Sequence, residues 1–119
     1  MTEPKLKHVH LEHEGLEMFL GKIEAAVLVT LWEYGPLSSN KLQKYLLPTG
    51  DWAWQTIATT CERLTVKGYV QHDRKRAIFI PAFDTEDKFI DFCICRILTS
   101  LNNYYPTSLQ DAIAAKGLY

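Results

Sequence analysis

No apolar run in this chain of 119 residues approaches the roughly 20 needed to cross a bilayer. The opening Met1-Thr2-Glu3-Pro4-Lys5 also lacks the charged-then-apolar order of a secretory leader. The expectation is a cytoplasmic protein with no membrane partner. Cysteine is scarce and odd in number, with Cys61, Cys93 and Cys95 alone, which excludes a disulfide framework and fits free thiols in a reducing compartment. Also missing are a phosphate-cradling glycine loop, a metalloprotease histidine helix and a nucleophile elbow. No catalytic constellation is present, so neither an enzyme nor a cofactor is expected. Finally, the chain lacks a strong charge of either sign: its formal net charge is -1, whereas many nucleic-acid-binding domains are clearly basic.

What is present is the balance of a folded domain, 47% hydrophobic and 23% charged, which excludes wholesale disorder. The charge is unevenly spread. Between Glu62 and Arg76 stand Arg63, Lys67, Arg74, Lys75 and Arg76 against Glu62 and Asp73, a local excess of +3. The compensating acids lie at Glu12, Glu14 and Glu17, and again at Asp84, Glu86, Asp87 and Asp91. A positive face on a nearly neutral protein is therefore available.

Residues 1–16 are polar and read as a flexible or loosely packed N-terminal arm. A first helix is expected from about Leu20 to Tyr34, with Leu20, Ile23, Val27, Leu28 and Leu31 on one apolar face. Gly35-Pro36 stops it. Ser38 is the expected N-cap of a short second helix ending near Leu46. After the turn at Pro48-Thr49-Gly50, a third helix is expected from Asp51 or Trp52 to Lys67, closed by Gly68, with Ile57, Cys61 and Leu64 inward. The period then changes to that of strands. Tyr69-Val70-Gln71-His72 and Ala77-Ile78-Phe79-Ile80 flank the charged tip Asp73-Arg74-Lys75-Arg76 as a hairpin. A fourth helix is expected from about Thr85 to Leu101, broken at Asn102-Asn103. Ser108 and Asp111 suggest a capping box for a last short helix ended by Gly117.

Three helices followed by a basic-tipped hairpin make a winged helix-turn-helix pattern. The expected fold is mostly α with a small β-hairpin. Residues 17–83 would form a winged-helix DNA-binding domain, and residues 84–119 a C-terminal helical dimerisation region. The shape suits double-stranded DNA, because a helix about 10–12 Å wide fits the major groove. The expected contact residues on the third helix are Trp54, Gln55, Thr56, Ala58, Thr59 and Arg63, with Ser38 and Lys41 at the start of the second. Arg74, Lys75 and Arg76 in the wing would add attraction to phosphate that is independent of sequence. Phe89, Phe92, Ile97 and Leu101 would pair two chains.

The run Asp51-Trp52-Ala53-Trp54-Gln55-Thr56-Ile57, continued by Glu62-Arg63-Leu64-Thr65-Val66-Lys67-Gly68-Tyr69-Val70, resembles the penicillinase and methicillin-resistance repressor family. Upstream, Leu20-Gly21-Lys22-Ile23-Glu24 and Leu31-Trp32-Glu33-Tyr34-Gly35-Pro36 resemble that family's first helix and its closing turn. The likeness covers roughly residues 20 to 83. It implies a homodimeric repressor that binds a palindromic operator with TACA/TGTA half-sites. It further implies release by proteolysis at an Asn-Phe bond or, in one branch, by copper. The chain departs from the pattern at Glu62, where a small polar residue is usual, and at Ala58, where a larger side chain is usual. The wing has no glycine at its turn, the family's closing acidic, leucine-rich helix is not matched, and the nearest counterpart of the cleavage bond is Lys88-Phe89.

Two other readings compete. A winged helix can serve as a protein–protein interaction module, which the low net charge and Glu62 favour. A metal- or redox-sensing regulator would use His8, His10 and His13, or Cys93 and Cys95. A plain polar arm is preferred for the histidines. Residues two apart on a helix point about 200° apart, so cysteines packed in a dimer helix are preferred over a shared metal. Cys61 is expected in the core and His72 on the wing strand, exposed or near phosphate. Trp52 is expected to be packed and Trp54 partly exposed.

Overall fold

A computed structural model describes residues 3–6 and 8–116. The cap expected at Gly117 lies outside the described residues. After a 3-10 turn at Gly15–Met18, the elements run α1 (Lys22–Tyr34), α2 (Ser39–Leu46), α3 (Trp54–Lys67), β1 (Val70–Asp73), β2 (Ile78–Pro81), α4 (Glu86–Tyr104) and α5 (Pro106–Lys116). This is the winged-helix order, mostly α with one hairpin.

Helix α1 is the hub. Val27, Leu28 and Leu31 are fully buried, and they meet Leu42 of α2 and Ile57, Cys61 and Leu64 of α3 in one core. Leu20 is buried as expected but precedes the helix, whose N-cap is Gly21. Glu24 reaches back to the Gly21 backbone N–H at 2.9 Å, which satisfies one of the donors that every helix start leaves unpaired.

Helix α3 starts later than the sequence suggests. Ala53 is its extended N-cap and Trp54 its first residue, not Asp51 or Trp52. The reason is tertiary. Gln43 of α2 donates its side-chain N–H to the Trp52 carbonyl at 3.2 Å, and the Trp52 indole lies over Gly50, where an added Cβ would come within 2.7 Å of the ring. These contacts hold the residues before α3 extended. At its other end Gly68 takes φ 82°, and its missing side chain admits the backbone of Glu3 and Pro4, which a Cβ would meet at 2.8 Å. Gly68 thus serves the helix end and the approach of the N-terminal segment together.

That segment, expected as a flexible or loosely packed arm, lies against the domain over its described residues. The Lys5 N–H donates to the Lys67 carbonyl at 3.0 Å, the Tyr69 hydroxyl donates to the Lys5 carbonyl, and Leu6 and Leu16 pack on the core.

The strands pair antiparallel, Val70 opposite Pro81 and Asp73 opposite Ile78, one residue later along the chain than expected. Leu37 adds a one-residue bridge, exchanging backbone hydrogen bonds with Phe79 at 2.8 and 3.2 Å. So short a pairing leaves no alternating pattern in the sequence.

Helix α4 is capped by Thr85, whose hydroxyl accepts from the Lys88 N–H at 3.3 Å. It does not break at Asn102-Asn103 but continues to Tyr104. Asparagine lowers helix propensity by less than about 1 kcal/mol, and the break falls where Tyr105 (φ -139°, ψ 56°) precedes Pro106. Pro106 is the first residue of α5, so Ser108 lies inside that helix and does not cap it.

The core also runs past residue 83. Phe89 is fully buried at the centre of an aromatic cluster, with ring centroids 5.0 Å from Tyr69, 5.6 Å from Phe83 and 5.8 Å from Trp32. The Trp32 indole N–H donates to the Phe83 carbonyl at 3.0 Å and ties α1 to this region. The first half of α4 therefore belongs to the winged-helix core, while most side chains of α4 beyond Ile97 and of α5 are exposed. The radius of gyration, 16.3 Å, exceeds the roughly 13.5 Å of a compact chain of this length. No helix of the described residues is long and apolar enough to cross a membrane.

Candidate nucleic-acid interface

The inner face of α3 is spent on Ile57, Thr60, Cys61 and Leu64, all buried. Helical spacing then turns Gln55, Thr59, Glu62 and Val66, at i, i+4, i+7 and i+11, to the opposite side, and all four are exposed. Thr56 and Arg63, also exposed, flank this face. With Gln55 and Thr59 they line an open cleft against Gly21 and Lys22 at the start of α1. Trp54 is 46% exposed at the first position of α3, while Trp52 is half-buried against the core. Ala58 is half-buried and offers only a methyl edge. Val66, 72% exposed, was not among the residues expected here; its place on the Gln55 face follows from the helical period.

On α2, the Ser38 hydroxyl accepts from the Lys41 backbone N–H at 3.3 Å. Its own proton stays free to donate, and the Lys41 side chain is exposed.

The wing is a short hairpin whose turn is organised by Asp73. Its carboxylate accepts from the Arg76 backbone N–H at 3.2 Å and from Arg76 Nε at 2.8 Å. The hydrogen bond from the Arg76 side chain, first of all, holds the Asp73 carboxyl below its ordinary range. Ala77 closes the turn at φ 52°, the left-handed position that a glycine would fill without strain. Arg74, Lys75 and Arg76 are exposed, and Arg74 and Lys75 make no salt bridge among the described residues.

Two expectations change. Lys67, counted in the local basic excess, is held by Glu24, with Nζ 2.9 Å from each carboxylate oxygen. His72 is not turned out to solvent: its ring stacks on Phe79 with centroids 4.3 Å apart, and Nδ1 is buried without a hydrogen-bond partner, 3.7 Å from Glu62 Oε1. Of the basic run from Arg63 to Arg76, Arg63, Arg74 and Lys75 are left without a salt bridge among the described residues, and Glu62 is the acid on the same face of α3.

The positions expected to pair chains divide. Phe89 is closed off in the core, which removes it from any surface, and Phe92 and Ile97 are half-buried. Leu101 is 40% exposed. The open apolar stripe of α4 is instead Ile94, Leu98 and Leu101, spaced i, i+4 and i+7 and all exposed. Cys93 is packed inside its own chain, not between chains, and Cys95 is exposed. Burial raises the thiols of Cys61 and Cys93 to about 12, so both stay protonated and unreactive at neutral pH. Among the described residues no group of three or more His, Cys, Asp or Glu side chains is gathered to hold a metal.

The comparisons with known proteins agree with the architecture. The family model described as penicillinase repressor matches residues 20–115. A curated relative, the penicillinase repressor of Bacillus licheniformis, is 24% identical over 90 residues, which is 76% of this chain and 69% of the relative. No solved structure gives a significant match. With its matched residues running from before α1 into α5, the chain belongs to the penicillinase repressor family.

Proposed function

We propose that the chain is a DNA-binding transcriptional repressor acting as a homodimer on a palindromic operator. One observation carries this reading: the outward face of α3 presents Gln55, Thr59 and Arg63 beside a wing whose Arg74 and Lys75 are free. The α3 face would enter the major groove, where Gln55, Thr56 and Thr59 reach base edges and Arg63 reaches guanine or phosphate. Ser38, Lys41, Arg74 and Lys75 would hold phosphates and set the register without reading sequence. The apolar stripe Ile94, Leu98 and Leu101 of α4 would pair with its copy and place two α3 helices about one DNA turn apart. Family membership supports the repressor reading.

Relief of repression by cleavage at Lys88-Phe89 is disfavoured. That bond lies in α4 and Phe89 is fully buried, so a protease would need the core to open first.

A second reading, a protein-binding module, draws on Glu62, an acid on the outward face of α3. Anisotropy titrations separate the two. A palindromic duplex with TACA/TGTA half-sites is compared with a scrambled one, in excess competitor and at two salt concentrations. Preference for the palindrome, weakening steeply with salt, is expected. Equal affinity for both duplexes removes the operator, and no binding to either moves the protein to the second reading.

A further inference from the structure

A cavity of about 340 Å³ lies beside α3, bordered by Tyr69 of the aromatic cluster, where the N-terminal segment crosses the helix. It is lined by Phe19, Tyr69 and the exposed Val66, and by Lys5, Arg63 and Lys67 together with two histidines of the segment, His8 and His10. None of these lining residues is a carboxylate. Glu24 neutralises Lys67 from behind, and Glu12 lies 3.9 Å from His10 Nδ1. Lys5 and Arg63 have no salt-bridge partner among the described residues. The volume is at the small end of ligand sites, and an apolar lining with few converging charges is their usual make-up.

We propose that this cavity binds one small organic anion with an aromatic body. Its charge is held by Lys5 and Arg63, and its ring is laid on Phe19, Val66 and Tyr69. The site shares Arg63 and Val66 with the outward face of α3, so an occupied cavity withdraws Arg63 from DNA. That consequence rests on the DNA-binding reading; the site itself does not. The segment that closes the cavity is fastened through its backbone, since the Lys5 N–H and carbonyl bond to Lys67 and Tyr69. The Lys5 side chain is thereby left free for a ligand.

The test is a fluorescence titration of the full chain, without DNA, using anilinonaphthalene sulfonate and the uncharged phenylnaphthylamine as probes. The anionic dye is expected to saturate at one per chain. Lys5→Met should weaken it about tenfold, the scale of one lost charge-assisted hydrogen bond, and change the neutral dye less than twofold. Val66→Trp, at a 72% exposed position that tolerates bulk, fills the cavity and should abolish both. Unsaturable binding overturns the site, as does unchanged anionic-dye affinity in either variant. In a second arm the anionic dye should release a bound labelled duplex; a duplex left bound at saturating dye overturns the sharing of Arg63. Because the first arm contains no DNA, its result stands whether or not the repressor reading fails.

Discussion

Lys67 Nζ sits 2.9 Å from both carboxylate oxygens of Glu24, joining the last residue of α3 to the first turn of α1. Glu24 Oε1 also accepts from the Gly21 N–H, so one carboxylate caps α1 and anchors α3. The pair is well shielded: the Glu24 side chain is 12% exposed and that of Lys67 34%. A residue that reads in the sequence as part of a DNA-facing basic run therefore fixes the angle between two helices.

Removing the cation should show as lost stability. Lys67→Met leaves the Glu24 carboxylate partly buried with only the Gly21 N–H as partner. Complete burial would cost about 3–5 kcal/mol, and partial exposure reduces the expected loss to roughly 1–3 kcal/mol. Urea unfolding of Lys67→Met, Glu24→Gln and the double variant checks this. The double variant should lose less than the sum of the singles, and an additive result would mean that the pair does not couple the helices.

Glu62 makes the opposite kind of prediction. Its carboxylate is exposed on the outward face of α3 and lies 3.7 Å from His72 Nδ1. Glu62→Gln removes repulsion from phosphate and should tighten binding to specific and scrambled duplexes alike, by about two- to tenfold at low salt, with a smaller gain at high salt. A gain confined to the palindrome would instead assign Glu62 to base reading.

The sequence shows the winged-helix order because its signals are local. Apolar spacing marks α1, Gly68 closes α3, and the change to period two marks the hairpin. The α3 face is legible for the same reason, since burying Ile57, Cys61 and Leu64 fixes what points outward. What stays hidden depends on partners distant in sequence. Glu24 lies 43 residues from Lys67. Trp52 is held extended by Gln43. Phe89 has the spacing of a helix surface, yet Tyr69, Phe83 and Trp32 enclose it. A helical period says which residues share a side, and only packing says what that side meets.

The wing carries a small strain. Ala77 holds φ 52° where a left-handed L-residue costs about 1–2 kcal/mol. Glycine relieves this but has more freedom to lose on folding, about 0.4–1 kcal/mol. Ala77→Gly should therefore stabilise by about 0.5–1 kcal/mol, measured as a raised urea midpoint with an unchanged slope. A loss of stability would show that the Ala77 methyl does more than tolerate its backbone.

The three thiols should separate by reactivity. Cys95 is exposed, while Cys61 and Cys93 are fully buried and held protonated up to about 12. A thiol reagent at pH 8 should modify one cysteine quickly in the native chain and all three after denaturation. The unfolded thiols ionise near the ordinary 9.0. Between that value and about 12 the folded state thus binds more protons, and stability should fall as pH rises through this range. Flat stability there would contradict the burial of Cys61 and Cys93.

Helix α4 offers the sharpest separation between folding and assembly. Phe89 faces inward at 0% exposed, whereas Leu98 and Leu101, at 39% and 40%, lie on the open stripe. Phe89→Ala should cost about 3–5 kcal/mol and unfold a marginal domain whatever the oligomeric state. Leu98→Asp with Leu101→Asp places charges on a surface that the single chain leaves partly open to water. Secondary structure should therefore persist, while sedimentation shifts from dimer to monomer and operator affinity falls with loss of the second half-site. A dimer that survives both aspartates would move the pairing surface off this stripe. Leu109 and Ile113 of α5 are half-buried, and they would then be the next to carry a charge.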